Sequence, residues 1–512
     1  MSFIANISNI LKRPIGAIFL CFIAGSLSAF AMAPYLLWPL LFVGVSVLYW
    51  ALTKAESGWQ GFWRAAAFGL GYFIFSLSWI GNALLVENNP YAWAYPLAVC
   101  GLPALLCLFF GLAGYVAVRF LDLTRVSGYI GFVALLSLTE WLRGHVFTGF
   151  PWNLFGYTWE GWLEIAQVAA IESVYLLTTL TILWAGVGGF LLVGKGRRDK
   201  IILGALVLAS FAASYGFGAW RMVQPMGVHE DTIIRIVQPN TPQHEKWQRG
   251  KMFRHFETAL ELSQQEKPAA NTIIIWPETA LSPRFLATPY VMEQISGVLK
   301  GYDGDAALIT GALRHESAPD RYYNSIISID ESGGVSNIYD KSHLVPFGEY
   351  IPFQRYIPLP TVTQFTGFER GDGPQVHESL GGLKYISQIC YEILFPNRTP
   401  LGADFIVNVT NDAWYGDSAG PYQHLAKAKF RAIESGIPVI RAANTGVSAM
   451  IDPLGRIMEH QSDLFTKDAI SVQLPTKFAS HSQKSYYNHV IYVAFLCLAL
   501  ILAFVYPRYF KR

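Results

Sequence analysis

Apolar positions follow two rhythms along this chain. Up to about residue 220, and again over the last 25 or so residues, they form long unbroken runs. Between these regions they come in short bursts broken by turn residues. A helix needs about 20 apolar residues to cross a bilayer. Eight runs approach or reach that length: 14–33, 36–52, 62–84, 95–118, 128–142, 172–193, 201–220 and 487–506. The fifth is the weakest, because Glu140 and Arg143 stand at its end.

Bursts such as TIIRIVQ (232–238), NTIIIWP (271–277), AALITGAL (306–313), YNSIISID (323–330), LKYISQIC (383–390), DFIVNVT (404–410) and VSAMIDP (447–453) predict strands. Apolar residues at helical spacing over 252–266 and 426–435 predict helices among them. Strands interleaved with helices indicate an α/β domain of packed layers, long enough to bury a full core. The expected organisation is therefore an N-terminal membrane module of seven helices over 1–225, an α/β domain over 228–482, and a last span with a short tail over 485–512.

Charge sets the orientation. Lysines and arginines fall in every second gap between spans: Lys12 and Arg13, then Lys54 and Arg64, then Arg119 and Arg125, then 195–200, and Arg508, Lys511 and Arg512 at the end. Basic residues concentrate in cytoplasmic loops. Both termini are thus expected in the cytoplasm, with 228–482 on the opposite face. The tripeptide Ala29-Phe30-Ala31 mimics a signal-peptide cleavage site. Pro34 and the second apolar run directly after it favour a retained hairpin instead.

Composition agrees. Hydrophobic residues make up 52% of the chain and charged residues 14%, against about 25% charged in a soluble domain. The net charge of +2 and the lack of a basic stripe exclude a nucleic-acid partner. No phosphate-binding loop, dinucleotide fingerprint or zinc-ligand spacing occurs, so no metal or cofactor is expected. Nothing in the chain demands a second subunit, and a monomer is expected.

Four of the five cysteines, Cys21, Cys100, Cys107 and Cys497, lie in apolar runs. Cys390 alone lies in the α/β domain, where it is either an inert core residue or a reactive thiol. It follows a strand-like run, and the ends of strands in α/β folds form a crevice. A thiol attacks as its thiolate and needs a base or cation nearby. Glu278, after IIIWP, and Lys341, in YDKSHLVPFGEYIP, end similar runs. Each alone reads as an ordinary solvated surface charge, and the three together, in similar segments at strand ends, read otherwise.

IIIWPETA, YDKSHLVPFGEYIP and ISQICYEILFP together resemble the three signature segments of the carbon-nitrogen hydrolase (nitrilase) superfamily, which uses a Glu–Lys–Cys triad on an αββα sandwich. The resemblance makes Glu278 the general base, Lys341 the cation that steadies the oxyanion, and Cys390 the nucleophile. NVTNDAWYGDSAGPYQH (408–424) and RAIESGIPVIRAANTGVSAMIDPLGRI (431–457) fall where that superfamily has its later strands and a helix. The spans around the domain, with TGFPWNLFGYTW (148–159) in an outer loop, are similar to the apolipoprotein N-acyltransferase family.

That resemblance implies a multi-pass protein of the bacterial inner membrane with a periplasmic catalytic domain, completing lipoprotein maturation. Its donor would be a phospholipid such as phosphatidylethanolamine. Its acceptor would be the α-amine of a diacylglyceryl-cysteine apolipoprotein, and a thioester acyl-enzyme would link the two half-reactions. A membrane-tethered amidase or nitrilase shares the first half-reaction and is the alternative. A transporter with a ligand-binding domain fits less well, because the spans hold few charges and show no matching halves.

Further residues are expected to assist. Glu349 matches an acid near the triad, set either to fix the charge states of Lys341 and Glu278 or to form a structural salt bridge. Glu392 either lines the site, or is solvated or caps a turn. The Tyr391 backbone N–H directly follows the nucleophile and would serve an oxyanion hole. Trp247, in TPQHEKWQ, is either an apolar arm for lipid or a core residue. His343 invites a Cys–His reading, which the Glu–Lys–Cys match makes unnecessary. Glu140 and Arg143 either pair or serve function, and the aromatic loop 147–162 reads as an interfacial belt or a substrate gate.

Overall fold

The apolar runs lie on helices, because a continuous apolar stretch satisfies its backbone polar groups internally only as a helix. The computed structural model describes residues 2–86, 89–351, 367–396, 400–478 and 487–509. Helices occupy Pro14–Ser28, Trp38–Thr53, Gly58–Leu77, Tyr95–Phe120, Val126–Arg143, Val174–Ala185, Val187–Val193, Arg197–Met222 and Tyr487–Tyr509. Five stretches among the described residues are long and apolar enough to cross a membrane: Pro14–Ala31, Gly58–Leu85, Ala92–Phe120, Val174–Val193 and Arg197–Met222. Trp38–Thr53 and His489–Val505 are apolar but shorter.

These helices form one unit, Met1–Gly81 with Ala94–Gln224 and Lys484–Arg512. Their outward faces carry Phe19, Trp63, Leu105, Leu208 and Phe495, all exposed. Their inward faces approach closely. A Cβ on Gly25 would sit 1.9 Å from the carbonyl oxygen of Phe68, so the helix Pro14–Ser28 meets Gly58–Leu77 backbone to backbone only because that side chain is missing. Glu140 and Arg143 are both fully buried and pair at 2.8 Å. Arg143 also donates to the carbonyls of Phe150 and Trp152, at 2.6 and 2.9 Å. The pair thus pins the loop that follows its helix. Residues 151–159 of that loop are buried, with Trp152 and Trp159 almost inaccessible. This stretch packs within the unit, while Phe147 remains 86% exposed.

The second unit is Asn82–Trp93 with Pro225–Gln483. Its strands are β1 (Val228–Gln238), β2 (Asn271–Leu281), β3 (Ala306–Ser317), β4 (Asp320–Ile329), β5 (Val335–Asp340), β6 (Val376–Glu378), β7 (Lys384–Ile389), β8 (Phe405–Thr410), β9 (Val439–Ala443), β10 (Ala449–Ile451), β11 (Ile457–Gln461) and β12 (Asp468–Pro475). They form two six-stranded sheets, ordered β12-β1-β2-β3-β4-β5 and β11-β10-β9-β8-β7-β6. The sheets share one pairing pattern. In each, a parallel trio (β1-β2-β3; β7-β8-β9) is flanked by one antiparallel strand on one side and two on the other.

The two-residue period of each strand splits its side chains between two cores. Ile234, Ile236, Ile273 and Ile275 join Ile389, Val407, Val409 and Ile440 between the sheets. Val237, Ile274 and Trp276 face the other way and pack on Phe256, Leu260, Ile295 and Leu299. Those four residues belong to the helices Met252–Gln264 and Pro289–Leu299. The helix Ala419–Ser435 packs on the second sheet through β9 and β10. The resulting layers are helix, sheet, sheet, helix, which is the αββα sandwich.

Candidate active site

Strands of both sheets bring the predicted residues together: Cys390 follows β7, Lys341 follows the antiparallel edge strand β5, and Glu278 stands within β2. Cys390 directly follows β7 and opens a short helical turn, Cys390–Leu394. Its φ is +49°, a left-handed conformation that costs energy for any residue with a Cβ. Lys341 directly follows β5. Glu278 departs from the sequence expectation that it ends a strand. β2 runs on to Leu281, and Glu278 sits inside it where the register with β3 breaks after Trp276. The break leaves Thr279 at φ +52°, unusual for a β-branched residue. On the neighbouring strand, a Cβ on Gly311 would lie 2.5 Å from Glu278 Cα, so β3 has no room for one.

Glu278, Lys341 and Glu349 form one buried cluster. Lys341 Nζ lies 2.8 Å from Glu349 Oε1 and 3.9 Å from Glu278 Oε1. The Asn324 amide, on β4, donates to both carboxylates, at 2.7 Å to Glu278 and 3.1 Å to Glu349. The Val345 backbone N–H holds the other oxygen of Glu349 at 2.8 Å. Glu349 thus does form a buried ion pair, with Lys341, and through it joins the cluster: it is 7% exposed and shares both a lysine and an amide with Glu278.

Burial, reinforced by the Glu278 carboxylate, pushes the Cys390 thiol up to about 12; the Lys341 ammonium and the Thr410 side chain act against that rise. Burial also raises Glu278, with Lys341 opposing and Glu349 reinforcing. Burial works against the charge of Lys341, but Glu349, Glu278 and Cys390 outweigh it and raise that group above an ordinary lysine. At rest the site is thus a neutral thiol beside a carboxylate that is a better base than usual and a firmly held ammonium. Such a thiol reacts only when its proton is taken during attack.

Glu392 does not project into this cluster. Its Oε1 accepts from the backbone N–H groups of Ser342 (2.9 Å) and His343 (3.0 Å) and the hydroxyls of Ser342 (2.8 Å) and Tyr339 (2.8 Å). Its Oε2 accepts from the Ile389 N–H at 2.9 Å. One buried carboxylate therefore ties the turn after β5, which carries Lys341, to the turn after β7, which carries Cys390. Its cap on Ile389 matches one sequence expectation, and its burial removes the solvated alternative. Tyr391 is buried, its ring against Phe395 and His343. His343 stacks on Phe395 at 4.0 Å between ring centroids.

Trp247 is half-buried and lines a cleft with Glu278, Trp276, Phe256 and Phe285. Beside it, Lys246 donates to the Glu278 carbonyl at 2.9 Å and to the Thr279 hydroxyl at 2.5 Å.

Sequence reasoning did not single out Lys246, Asn324 or a buried chain of groups behind the nucleophile. In that chain Arg441 pairs with Asp412 at 2.6 Å, and Asp412 lies 2.8 Å from His424 Nδ1. His424 Nε2 is 3.2 Å from the Cys390 carbonyl. Burial would raise Asp412, but Arg441 and His424 dominate and hold it at about 2. Asp412 and His424 lie within 408–424, a segment singled out above by likeness alone. A buried charge with no apolar pattern around it was the signal available. Among the described residues no group of acids, histidines and cysteines is arranged to hold a metal ion.

Comparison with known proteins covers both units. Residues 233–480 match the carbon-nitrogen hydrolase family, and residues 24–187 match the apolipoprotein N-acyltransferase N-terminal domain. Apolipoprotein N-acyltransferases from Allorhizobium ampelinum and Rhodopseudomonas palustris are each 38% identical to the chain, over 85% of it and 85% of their own length. That from Rhizobium rhizogenes is 37% identical over 92% of this chain and 93% of its own. Among solved structures, a CN-hydrolase superfamily protein from Xanthomonas campestris aligns with 19% identity and a TM-score of 0.35, covering 53% of this chain and 97% of that one. Similarity at this level runs through the helical unit as well as the sandwich that holds Glu278, Lys341 and Cys390, and on that ground the chain belongs to the apolipoprotein N-acyltransferase family.

Proposed function

We propose that the chain moves a fatty acyl group from a membrane phospholipid, of the phosphatidylethanolamine kind, to the N-terminal α-amine of a diacylglyceryl-cysteine apolipoprotein, by way of a thioester on Cys390. Membership of the family gives the reaction class. The observation that carries the chemistry is the cluster of Glu278, Lys341, Glu349 and Asn324 beside the only thiol of the sandwich.

Glu278 takes the thiol proton as Cys390 Sγ attacks the ester carbonyl of the phospholipid. The developing oxyanion is stabilised by the Lys341 ammonium and by the Tyr391 backbone N–H. The ester C–O bond breaks, Glu278 returns the proton to the leaving oxygen, and lysophospholipid departs. The lipoprotein amine then attacks the thioester carbonyl and gives its proton to Glu278. The C–S bond breaks, the amide forms, and the thiol is restored. Glu349 holds the charge of Lys341, Asn324 favours the ionised form of Glu278, and Glu392 holds the two turns in register. Trp247 contributes an apolar wall to the cleft beside Glu278, where an acyl chain would lie. Apolar surroundings keep water from the thioester between half-reactions.

The same reading extends to topology. Eight helices, seven over 1–225 and one over 485–512, cross a bacterial inner membrane with both termini in the cytoplasm, and the domain over 228–482 is periplasmic. The alternation of basic loops supports this arrangement. The protein works as a monomer without a cofactor.

Intact-mass analysis of detergent-solubilised protein incubated with phospholipid tests the reading. A fatty-acyl adduct should map to Cys390, be absent in Cys390→Ser and Glu278→Gln, and disappear on addition of a diacylglyceryl lipopeptide as N-acylated peptide forms. Acylation of the lipopeptide by Cys390→Ser at the native rate would refute it, and release of free fatty acid in place of the amide would assign the chain to hydrolysis.

A further inference from the structure

Lys246 is a second cation beside Glu278, and none of the steps above uses it. Its side chain is buried, 7% exposed, although lysines are almost never buried without an acid partner. Among the described residues its ammonium bonds only the Glu278 carbonyl and the Thr279 hydroxyl. Both belong to the irregular point of β2, where Thr279 adopts φ +52°. Such a conformation persists only when its surroundings hold it in place. Lys246 therefore grips the backbone on which the Glu278 side chain is mounted.

Charge points the same way. Glu278 and Glu349 are two buried acids sharing one close ammonium, that of Lys341. With both acids ionised the trio is left with one uncompensated negative charge, which a dry site opposes. Lys246 supplies the missing positive charge. We propose that Lys246 is a positioning residue for the reaction above: its ammonium fixes the bulge that aims Glu278 and balances the second carboxylate, so that Glu278 stays ionised and able to accept the thiol proton.

The groups that face Glu278 are Lys341 from the turn after β5, Glu349, Asn324 from β4, Lys246, and Cys390 and Tyr415 from the second sheet's turns. Lys246 in turn faces Glu278 and Cys390. Burial lowers Lys246 to about 8, with Glu278 and Cys390 opposing, so it still carries its charge at neutral pH. Lys246 opposes the rise of Glu278, and removing an opposite charge near a carboxyl raises it by about one unit.

The inference rests on Cys390 acting as nucleophile and Glu278 as its base, and the experiment separates the two levels. The rate of Cys390 acylation by phospholipid is measured against pH for the full-length native protein, Lys246→Met, Lys246→Gln and Lys246→Arg, with thermal unfolding followed in parallel. The acidic limb, where Glu278 becomes protonated, should move up by about one pH unit in Lys246→Met and Lys246→Gln, a roughly tenfold lower rate on that limb. It should stay in place in Lys246→Arg. A merely structural lysine would change stability and leave the limb where it was. Should Lys246→Met not fold, Lys246→Gln decides alone, because it keeps a polar donor of similar size without the charge. An unmoved limb in a folded neutral variant, with normal acylation of the native protein, overturns this inference only. Absence of any Cys390 adduct in the native protein overturns the reading beneath it as well.

Discussion

Glu392→Ala is the most demanding test of how the site is assembled. The carboxylate is 2% exposed and accepts five hydrogen bonds from two segments of chain, 339–343 and Ile389. Truncation leaves the backbone N–H groups of Ile389, Ser342 and His343 without an acceptor. The two hydroxyls, on Ser342 and Tyr339, can rotate towards other partners. A buried donor left unpaired costs about 1–3 kcal/mol. Counting only the three amides at the lower bound gives roughly 3 kcal/mol. For a domain of this size that lowers the melting temperature by roughly 6–12 °C.

Glu392→Gln is the finer probe. It keeps Oε1 and sets an amide nitrogen against the Ile389 N–H, so it should cost about 1 kcal/mol. Ile389 directly precedes Cys390, and its displacement should slow thioester formation out of proportion to the lost stability. The assay is thermal unfolding in detergent together with the rate of Cys390 acylation. Glu392→Ala with a native melting temperature and a native acylation rate would refute the reasoning, because those amides would then have found other partners at no cost.

Asn324→Leu removes the donor shared by Glu278 and Glu349 and should slow Cys390 acylation roughly 10- to 100-fold, measured by time-resolved intact mass. Gly311→Ala places a methyl 2.5 Å from Glu278 Cα. It should cost about 1–3 kcal/mol in denaturant unfolding and depress acylation without touching the thiol. Asp412→Asn leaves Arg441 buried without its partner and should destabilise by about 3–5 kcal/mol. Asp412 is held at about 2 in the fold, against 3.8 unperturbed. Its ionisation therefore stabilises the fold above pH ~4 and that contribution, roughly 2 kcal/mol, fades as pH falls towards 2; unfolding measured against pH should lose this component in the variant. Trp276→Ala empties a site packed between β2 and the helix Met252–Gln264 and should cost about 3–5 kcal/mol in the same assay.

The strands legible in the sequence were those buried on both faces. β2, β3, β4, β7 and β8 are continuous apolar bursts, and each was read within a few residues of its observed ends. β5, β6 and β11 were missed, since they lie at or near sheet edges and are largely exposed or half-exposed, with no apolar burst to betray them. β9 and β12 were missed for another reason. VIRAA carries the buried Arg441, and DAISVQLP alternates polar with apolar residues.

By itself the sequence determined the apolar helices, five of them long enough to cross a membrane among the described residues, the layered α/β domain, and three chemical groups in recognisable surroundings. Periodicity and local composition carry that information, because burial imposes them position by position. Tertiary structure alone decided which way Glu392 turns, that Asn324 joins two acids, and that Lys246 grips the backbone of Glu278. Apart from Ile389 beside Glu392, those partners lie 25 to 53 residues away in the chain. Their pairing depends on where the strands end once the two sheets are stacked, and no local pattern records it.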